Sequence, residues 1–239
     1  MIKLENTDVF GWEAAIRGMR NPMNSWNKSD SGAAVACTKC GRIEREGICT
    51  KEGRDCTGFE CFAIGENDLK LMKSLSKAGD DHAKFLRMIN VTFDLTAPLY
   101  FLKEFDTYKV STVSNSCSTM HKIQAKEFTL ADFSFEHLIT VELDPWGDEY
   151  ESPLGLLKRT IDKLNQYREY YLKSKDKKDW WQMIQLLPSS YNQKRTVQLN
   201  YQVLKSMYFA RRNHKLDEWL DFCEWCETLP YFKEICIDA

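Results

Sequence analysis

Residues 107–122, "TYKVSTVSNSCSTMHK", hold the densest set of small hydrogen-bonding groups in the chain. Ser111, Thr112, Ser114, Asn115, Ser116, Ser118 and Thr119 lie between Lys109 on one side and His121 and Lys122 on the other. The run is too polar for a core strand and too poor in Gly and Pro for an ordinary linker. Seven short polar side chains together with loop N–H groups suit an anion cradle. The alternative is a Ser/Thr-rich turn and helix cap.

A second cationic segment, "LPSSYNQKRTVQLN" (187–200), carries Lys194 and Arg195. Pro188 is expected to end one helix and Ser189 or Ser190 to cap the next, which puts both cations in opening turns. Cations there oppose the helix dipole, so a nearby anion would account for them; a solvated Lys–Arg pair is the alternative. Further upstream, Cys37 and Cys40 have the C-x2-C spacing that brings two thiolates to one tetrahedral zinc, with partners among Cys49, Cys56 and Cys61. Free thiols in a loop are the competing reading. By contrast, Cys223 and Cys226 of "CEWC" fall in a helical pattern and read as small core residues. His82 follows a helix end and, from its local sequence, reads as a surface histidine. No phosphate-loop glycine pattern, H-E-x-x-H or nucleophile elbow occurs.

The elements that must position these groups follow from the patterning. "MIKLEN" reads as a strand and "DVFGWEAAIRGM" as a helix capped by Asp8. Residues 21–65 have no usable period and read as loop or a small inserted unit. A helix over "NDLKLMKSLSKAG" takes Asn67 as its cap, Leu69, Met72 and Leu75 as one face and Gly79 as its C′ glycine. Ile89, Val91, Phe93 and Leu95 alternate with polar residues, which predicts a half-buried strand. A helix with Pro98 in its first turn follows at "APLYFLKEF". Leu157, Ile161, Leu164, Arg168 and Tyr171 recur at helical spacing. A short helix over "DKKDWWQMIQLL" precedes Pro188, and 195–229 reads as one long helix or two, breaking near Asn213. Fold class is therefore α+β or α/β.

With 239 residues, 43% of them hydrophobic, the chain can bury a substantial core and is not a disordered one. The net charge of −2 supplies no basic field for nucleic acid. Within 37–61, five cations (Lys39, Arg42, Arg45, Lys51, Arg54) face five carboxylates (Glu44, Glu46, Glu52, Asp55, Glu60), which argues against a nucleic-acid-binding zinc module. The start is charged within three residues, and no run approaches the ~20 apolar residues that cross a bilayer. A cytoplasmic protein is expected, its nine cysteines thiols or metal ligands rather than disulfides.

The order of these pieces resembles the flavin-dependent thymidylate synthases. "VTFDLTAPLYFLKEFDTYK" parallels the strand and helix leading to that family's Arg-His-Arg, with Thr107, Tyr108 and Lys109 in its place. "SNSCSTMH" parallels the Asn-x-x-Ser-x-Arg-Tyr part: Asn115 and Ser118 match, Met120 and His121 replace Arg-Tyr, and Ser111 or Thr112 stands for the first Ser. "LPSSYNQKRTVQLNYQVL" resembles the Leu-Pro segment, with Pro188 and Asn200 matching and Lys194 or Arg195 standing in for its arginine. Arg211 resembles the arginine before a later helix, and "LMKSLSKAGDDHAKF" a Leu-rich segment ending in Gly-His.

The resemblance, spanning roughly 1–20 and 66–230, implies a single domain over 1–239 with a Cys-rich insertion at 30–64. It implies a central, mostly antiparallel sheet flanked by long helices, and a homotetramer whose sites neighbouring subunits complete. The implied reaction is one-carbon transfer from methylenetetrahydrofolate to C5 of dUMP or a related pyrimidine deoxynucleotide, with FAD and NADPH. The implied catalytic residue is Ser118. Ser116, Ser118, Lys194, Arg195 and Arg211 are implied for the nucleotide, and His82, Tyr108, Lys109, Asn115 and Asn200 for FAD. A non-catalytic nucleotide- or flavin-binding descendant of the fold is the other reading. For the insertion, protein purified without chelator should hold about one zinc per chain, released in Cys37→Ser; metal-free protein by elemental analysis overturns the zinc reading.

Overall fold

The structure, a computed structural model, describes residues 2–37, 43–44, 58–143, 145–146 and 149–239. In chain order the elements are β1 (Lys3–Phe10), α1 (Trp12–Arg20), β2 (Gly32–Cys37), β3 (Ile43–Glu44), β4 (Gly58–Ala63), α2 (Glu66–Lys77), β5 (Asn90–Pro98) and α3 (Leu99–Phe105). There follow β6 (Val113–Ser116), α4 (Thr119–Lys122), β7 (Glu142–Leu143), β8 (Glu149–Tyr150), α5 (Pro153–Ser174), α6 (Lys177–Leu186), β9 (Asn192–Asn200), α7 (Tyr201–Arg211) and α8 (Asp217–Thr228). Helices and antiparallel pairing together bear out the α+β expectation. No helix among the described residues is long and apolar enough to cross a membrane.

Several local expectations are corrected. Strand β1 runs through Asp8 to Phe10, so Asp8 caps nothing; Gly11, at φ 96°, turns the chain into α1. Only glycine fits there, because a Cβ would lie 2.2 Å from the Met88 carbonyl oxygen. Helix α2 is capped from a distance: the Asp30 carboxylate accepts from the N–H groups of Asn67 (3.0 Å) and Asp68 (3.1 Å), doing the work expected of the Asn67 side chain. Its other end matches, with Gly79 at φ 103°. Residues 192–200 form a strand, not the opening of a helix, and the break before α8 falls at 212–216. Periodicity explains the strand: Val197 and Leu199 are buried while Lys194, Thr196 and Gln198 are exposed, a repeat of two.

Contacts group the chain into two compact units. The first comprises Met1–Thr7, Thr92–Gln198 and Arg211–Cys223. Its four-stranded sheet has the order β1-β5-β9-β6, with β6 antiparallel to β9 at one edge (Val113 opposite Gln198, Ser116 opposite Arg195). Strand β5 buries Val91, Phe93, Leu95 and Ala97, the alternation expected from its sequence. Phe93, Phe101, Phe105, Trp219 and Phe222 pack as an aromatic cluster, the Phe101 and Trp219 rings 4.5 Å apart. A second core joins Leu157, Ile161 and Leu164 of α5 to Met183 of α6 and to Ile123, Phe128 and Phe133.

The second unit comprises Asp8–Val91, Leu199–Ala210 and Glu224–Ala239. Within 21–65 the backbone forms a three-stranded antiparallel sheet, β3-β2-β4, rather than plain loop. Cys40, Cys49 and Cys56 lie outside the described residues, and for Cys37 and Cys61 only the backbone is placed, so the zinc expectation lies outside them too. Helix α1 buries Trp12, Ala15, Ile16 and Met19, and the Trp12 ring meets Tyr201 edge-on at 5.5 Å. Cys226 and Cys236 are buried.

One carboxylate organises this unit. Asp68, fully buried, accepts from Arg20 Nε (2.6 Å), Ser29 Oγ (2.8 Å), Ser31 Oγ (2.7 Å) and the N–H groups of Asp30 and Ser31. Burial opposes its ionisation, but the bonds from Ser31, Ser29 and Arg20 prevail and hold its pKa below the ordinary carboxylate value. A depressed folded pKa means stability that is present above about pH 4 and lost as pH falls below it. Asp68→Ala strands the buried Arg20 guanidinium and should cost about 3–5 kcal/mol in denaturant unfolding; a loss below about 1 kcal/mol would contradict this account.

Candidate functional site

The clearest candidate site is a cavity of about 390 Å³ in the first unit, a size that suits a small organic ligand. One wall is the start of β9 with the preceding Tyr191. Another is the segment from Cys117 to Lys126, and Phe128, Ala131 and Asp132 close the third side. Backbone and amide bonds fix the Cys117 turn on β9: Cys117 N–H donates to the Lys194 carbonyl (2.9 Å), and Gln193 Nε2 donates to the Cys117 carbonyl (2.8 Å). Ser118 caps α4, its Oγ accepting from His121 N–H at 3.1 Å. From α5, Asn165 exchanges two 2.8 Å bonds with the Phe128 backbone, and Arg168 donates to the Gln124 carbonyl. The aromatic wall is thereby locked, with the Phe128 and Tyr191 rings 6.2 Å apart.

Three lysines line this space: Lys122, Lys126 and Lys194. Lys126 is paired with Asp132, whose own pKa burial pushes up and the Lys126 and Thr129 bonds bring down further, to a net lowering. Lys194 Nζ lies 3.0 Å from Asp94. Asp94 also accepts from Thr196 Oγ1 (2.7 Å) and Asn6 Nδ2 (2.9 Å), and these bonds with Lys194 lower its pKa to about 2. Lys122 has no carboxylate partner among the described residues, which gives the cavity a net positive character. On the same lining Asn192 has its Oδ1 buried with no hydrogen-bond partner among the described residues. Ammonium groups, hydroxyls of Ser118 and Thr119, a flat aromatic wall and an orphan acceptor together match an anion that carries a ring with an N–H donor.

The sequence-derived residues divide between several places. Ser118 and Lys194 face the cavity. Ser116 and Asn115 are exposed on the edge strand β6 beside it, Ser116 opposite Arg195. Arg195 turns to Gln193 Oε1 (3.0 Å) and Asp106 (2.6 Å). Since Lys194 and Arg195 sit on a strand, the helix-dipole argument for an anion falls, and the cavity lining replaces it. Arg211 and Tyr108 meet elsewhere in the unit: Arg211 Nε donates to Tyr108 Oη (2.9 Å), Nη1 to Glu104 (3.0 Å), and the guanidinium lies 4.9 Å from the Trp219 ring. Trp219 Nε1 also donates to Glu104 (2.8 Å), and His214 lies 3.4 Å from it. Lys109 is exposed in the turn before β6. His82 and Asn200 belong to the second unit; His82 is exposed, whereas Asn200 is buried and its Oδ1 accepts from Val203 N–H (3.1 Å) as the cap of α7.

Of the Ser/Thr run, only Ser118 and Thr119 line the cavity; the cap reading holds at Ser118, whose Oγ accepts from the His121 N–H. Sequence reasoning missed Lys126, Phe128, Asp132, Tyr191 and Asn192. A signal existed for the first, since Lys122 and Lys126 repeat at a spacing of four directly after the run. Nothing local marks the others, which are assembled by the chain's return to β9.

No family model matches the chain, and no curated protein matches it in sequence. Solved structures do. Flavin-dependent thymidylate synthase ThyX from Helicobacter pylori, complexed with FAD and dUMP, superimposes with a TM-score of 0.62 at 14% identity, covering 99% of this chain and 98% of that one. A UMP/dUMP methylase, PolB from Streptomyces cacaoi, bound with 5-Br UMP, gives a TM-score of 0.53 at 16% identity over 95% and 88%. The fold is therefore that of the flavin-dependent thymidylate synthases, as the order of the sequence segments implied.

Because Thr196 contributes most to lowering the Asp94 pKa, carboxyl NMR should find Asp94 titrating near about 2, and Thr196→Val should move the midpoint upward. An unchanged midpoint would remove this hydroxyl from the account.

Proposed function

We propose that the chain is a pyrimidine-nucleotide transferase of the thymidylate-synthase type, adding a one-carbon unit at C5 of dUMP or a relative. The observation that carries the reading is the first-unit cavity, where lysines, hydroxyls, an aromatic wall and the unpartnered Asn192 acceptor converge. Support comes also from the fold, since the ThyX structure holds FAD and dUMP and the PolB structure 5-Br UMP. In this reading Lys122 and Lys194 hold the phosphate, Phe128 and Tyr191 flank the base, and Asn192 Oδ1 accepts from its ring N–H. Ser118 already accepts from the His121 N–H, so its own proton is left to donate to a ligand oxygen. That is a positioning and polarising role at the base or phosphate, rather than attack by the hydroxyl.

The residues that suit FAD in the first unit are Lys109 and Asn115, both exposed and polar, for a pyrophosphate and a ring amide. When bound, FAD reduced by NADPH would supply the hydride that completes the methyl group delivered from methylenetetrahydrofolate. The assembly this reading carries is a homotetramer. A nucleotide-binding protein without the reaction is favoured by one observation. Tyr108 and Arg211 are satisfied by each other and by Glu104 rather than left open to a ligand.

Calorimetric titration with dUMP, then with FAD in its presence and absence, separates the two. Each lost charge-assisted contact is worth ~1–3 kcal/mol, so Lys122→Ala and Lys194→Ala should each weaken dUMP binding about tenfold or more. Lys109→Ala should do the same for FAD. Binding of dUMP without FAD favours the non-catalytic protein, and failure to bind dUMP overturns both.

A further inference from the structure

A second depression, of about 360 Å³, lies in the first unit where α4, the C-terminal end of α5 and the start of α6 converge. It uses none of the cavity residues above. Its two aromatic rings are Tyr171 and Trp180, and the indole is fixed by a bond from Nε1 to the Met120 carbonyl (3.2 Å). Lys175 and Lys177 supply the charge, and His121 adds an imidazole. The carboxylates next to these lysines in sequence do not line the depression and are already engaged: Asp176 accepts from Lys178 N–H and Asp179 from Ser174 Oγ, each at 2.8 Å.

Two further observations point to a ligand. Gln124 lines the same space, and its Oε1 is buried with no partner among the described residues, an acceptor that a ring N–H or exocyclic amine would satisfy. Lys175 holds the left-handed conformation at the end of α5, φ 57°, where glycine is favoured. The lysine at this position sets its ammonium 5.8 Å from the centre of the Tyr171 ring, at the rim of the depression.

We propose that this depression is a second binding site, for a nucleoside phosphate. The base lies against Tyr171 and Trp180 and donates to Gln124 Oε1, and the phosphate meets Lys175, Lys177 and His121. Stacking with a flanking cation is the usual way proteins hold single bases without reading long sequence. The site is independent of the Lys194 cavity, so it stands or falls separately from the proposed reaction.

The test is calorimetry on the full chain with UMP, AMP and inorganic phosphate, using the wild type, Lys194→Ala, Lys175→Gly and Lys177→Glu. A saturable event with UMP or AMP should survive Lys194→Ala and weaken about tenfold or more in the other two variants. The preferred probe tells pyrimidine from purine. Lys175→Gly also relieves the positive φ, so its melting temperature should equal or exceed the wild type's while binding falls. Absence of an event with that dependence, inorganic phosphate binding as well as either nucleotide, or binding lost only together with a lowered melting temperature would each overturn the assignment.

Discussion

The carboxylate of Asp94 is the constraint on which the first unit's site depends. It lies on β5 and bonds to Asn6 on β1 and to Thr196 and Lys194 on β9, so a single side chain holds three strands in register. Four-stranded sheets are usually held by backbone ladders and by apolar cross-strand pairs. Here a charge adds a directional constraint on the solvent-facing side. The pairing with Asp94 restrains the Lys194 side chain, which reduces its rotamer freedom. In the second unit Asp68 works by the same logic, saturated by donors from α1 and from residues 29–31.

Arginine and lysine are used differently in this unit, and the difference bears on function. Arg195 and Arg211 have carboxylate partners, Asp106 and Glu104, and Arg211 is also stacked on Trp219. Planar guanidinium groups suit such fixed, bidentate or stacked roles. The cavity is lined instead by three lysines, of which Lys126 and Lys194 are paired with Asp132 and Asp94 and Lys122 has no carboxylate partner among the described residues. Arg211 and Tyr108 thus serve as framework, bonded to each other and, through Arg211, to Glu104.

Much of this was legible in the sequence, and what was not has identifiable causes. The alternation of Ile89, Val91, Phe93 and Leu95 announced β5, and the helical spacing of Leu157, Ile161 and Leu164 announced α5, because burial enforces a period in both. Strand β9 was hidden because its exposed half is all polar and only Val197 and Leu199 betray the repeat. Tertiary donors also misled local capping logic: Asp30 closes the start of α2 from outside the helix, so Asn67 gave a false signal. Ser118 and Lys194, which line the cavity, lie in the two polar segments that the sequence singled out. Phe128, Tyr191 and Asn192 look like ordinary core or turn residues until the bridge between Phe133 and Tyr191 brings their segments together.

Strand β9 stores the site as a parity. Even-numbered Lys194, Thr196 and Gln198 are exposed, and odd-numbered Val197 and Leu199 are buried, in register with β6. A frame slip of one residue would exchange the two sets at a stroke, sending lysine and threonine inward and the valine and leucine out. This short stretch should therefore tolerate many single replacements on its outer face yet almost no insertion or deletion of odd length. The spacing of "NQKRTVQLN" is thus more tightly constrained than the identity of its outward-facing residues.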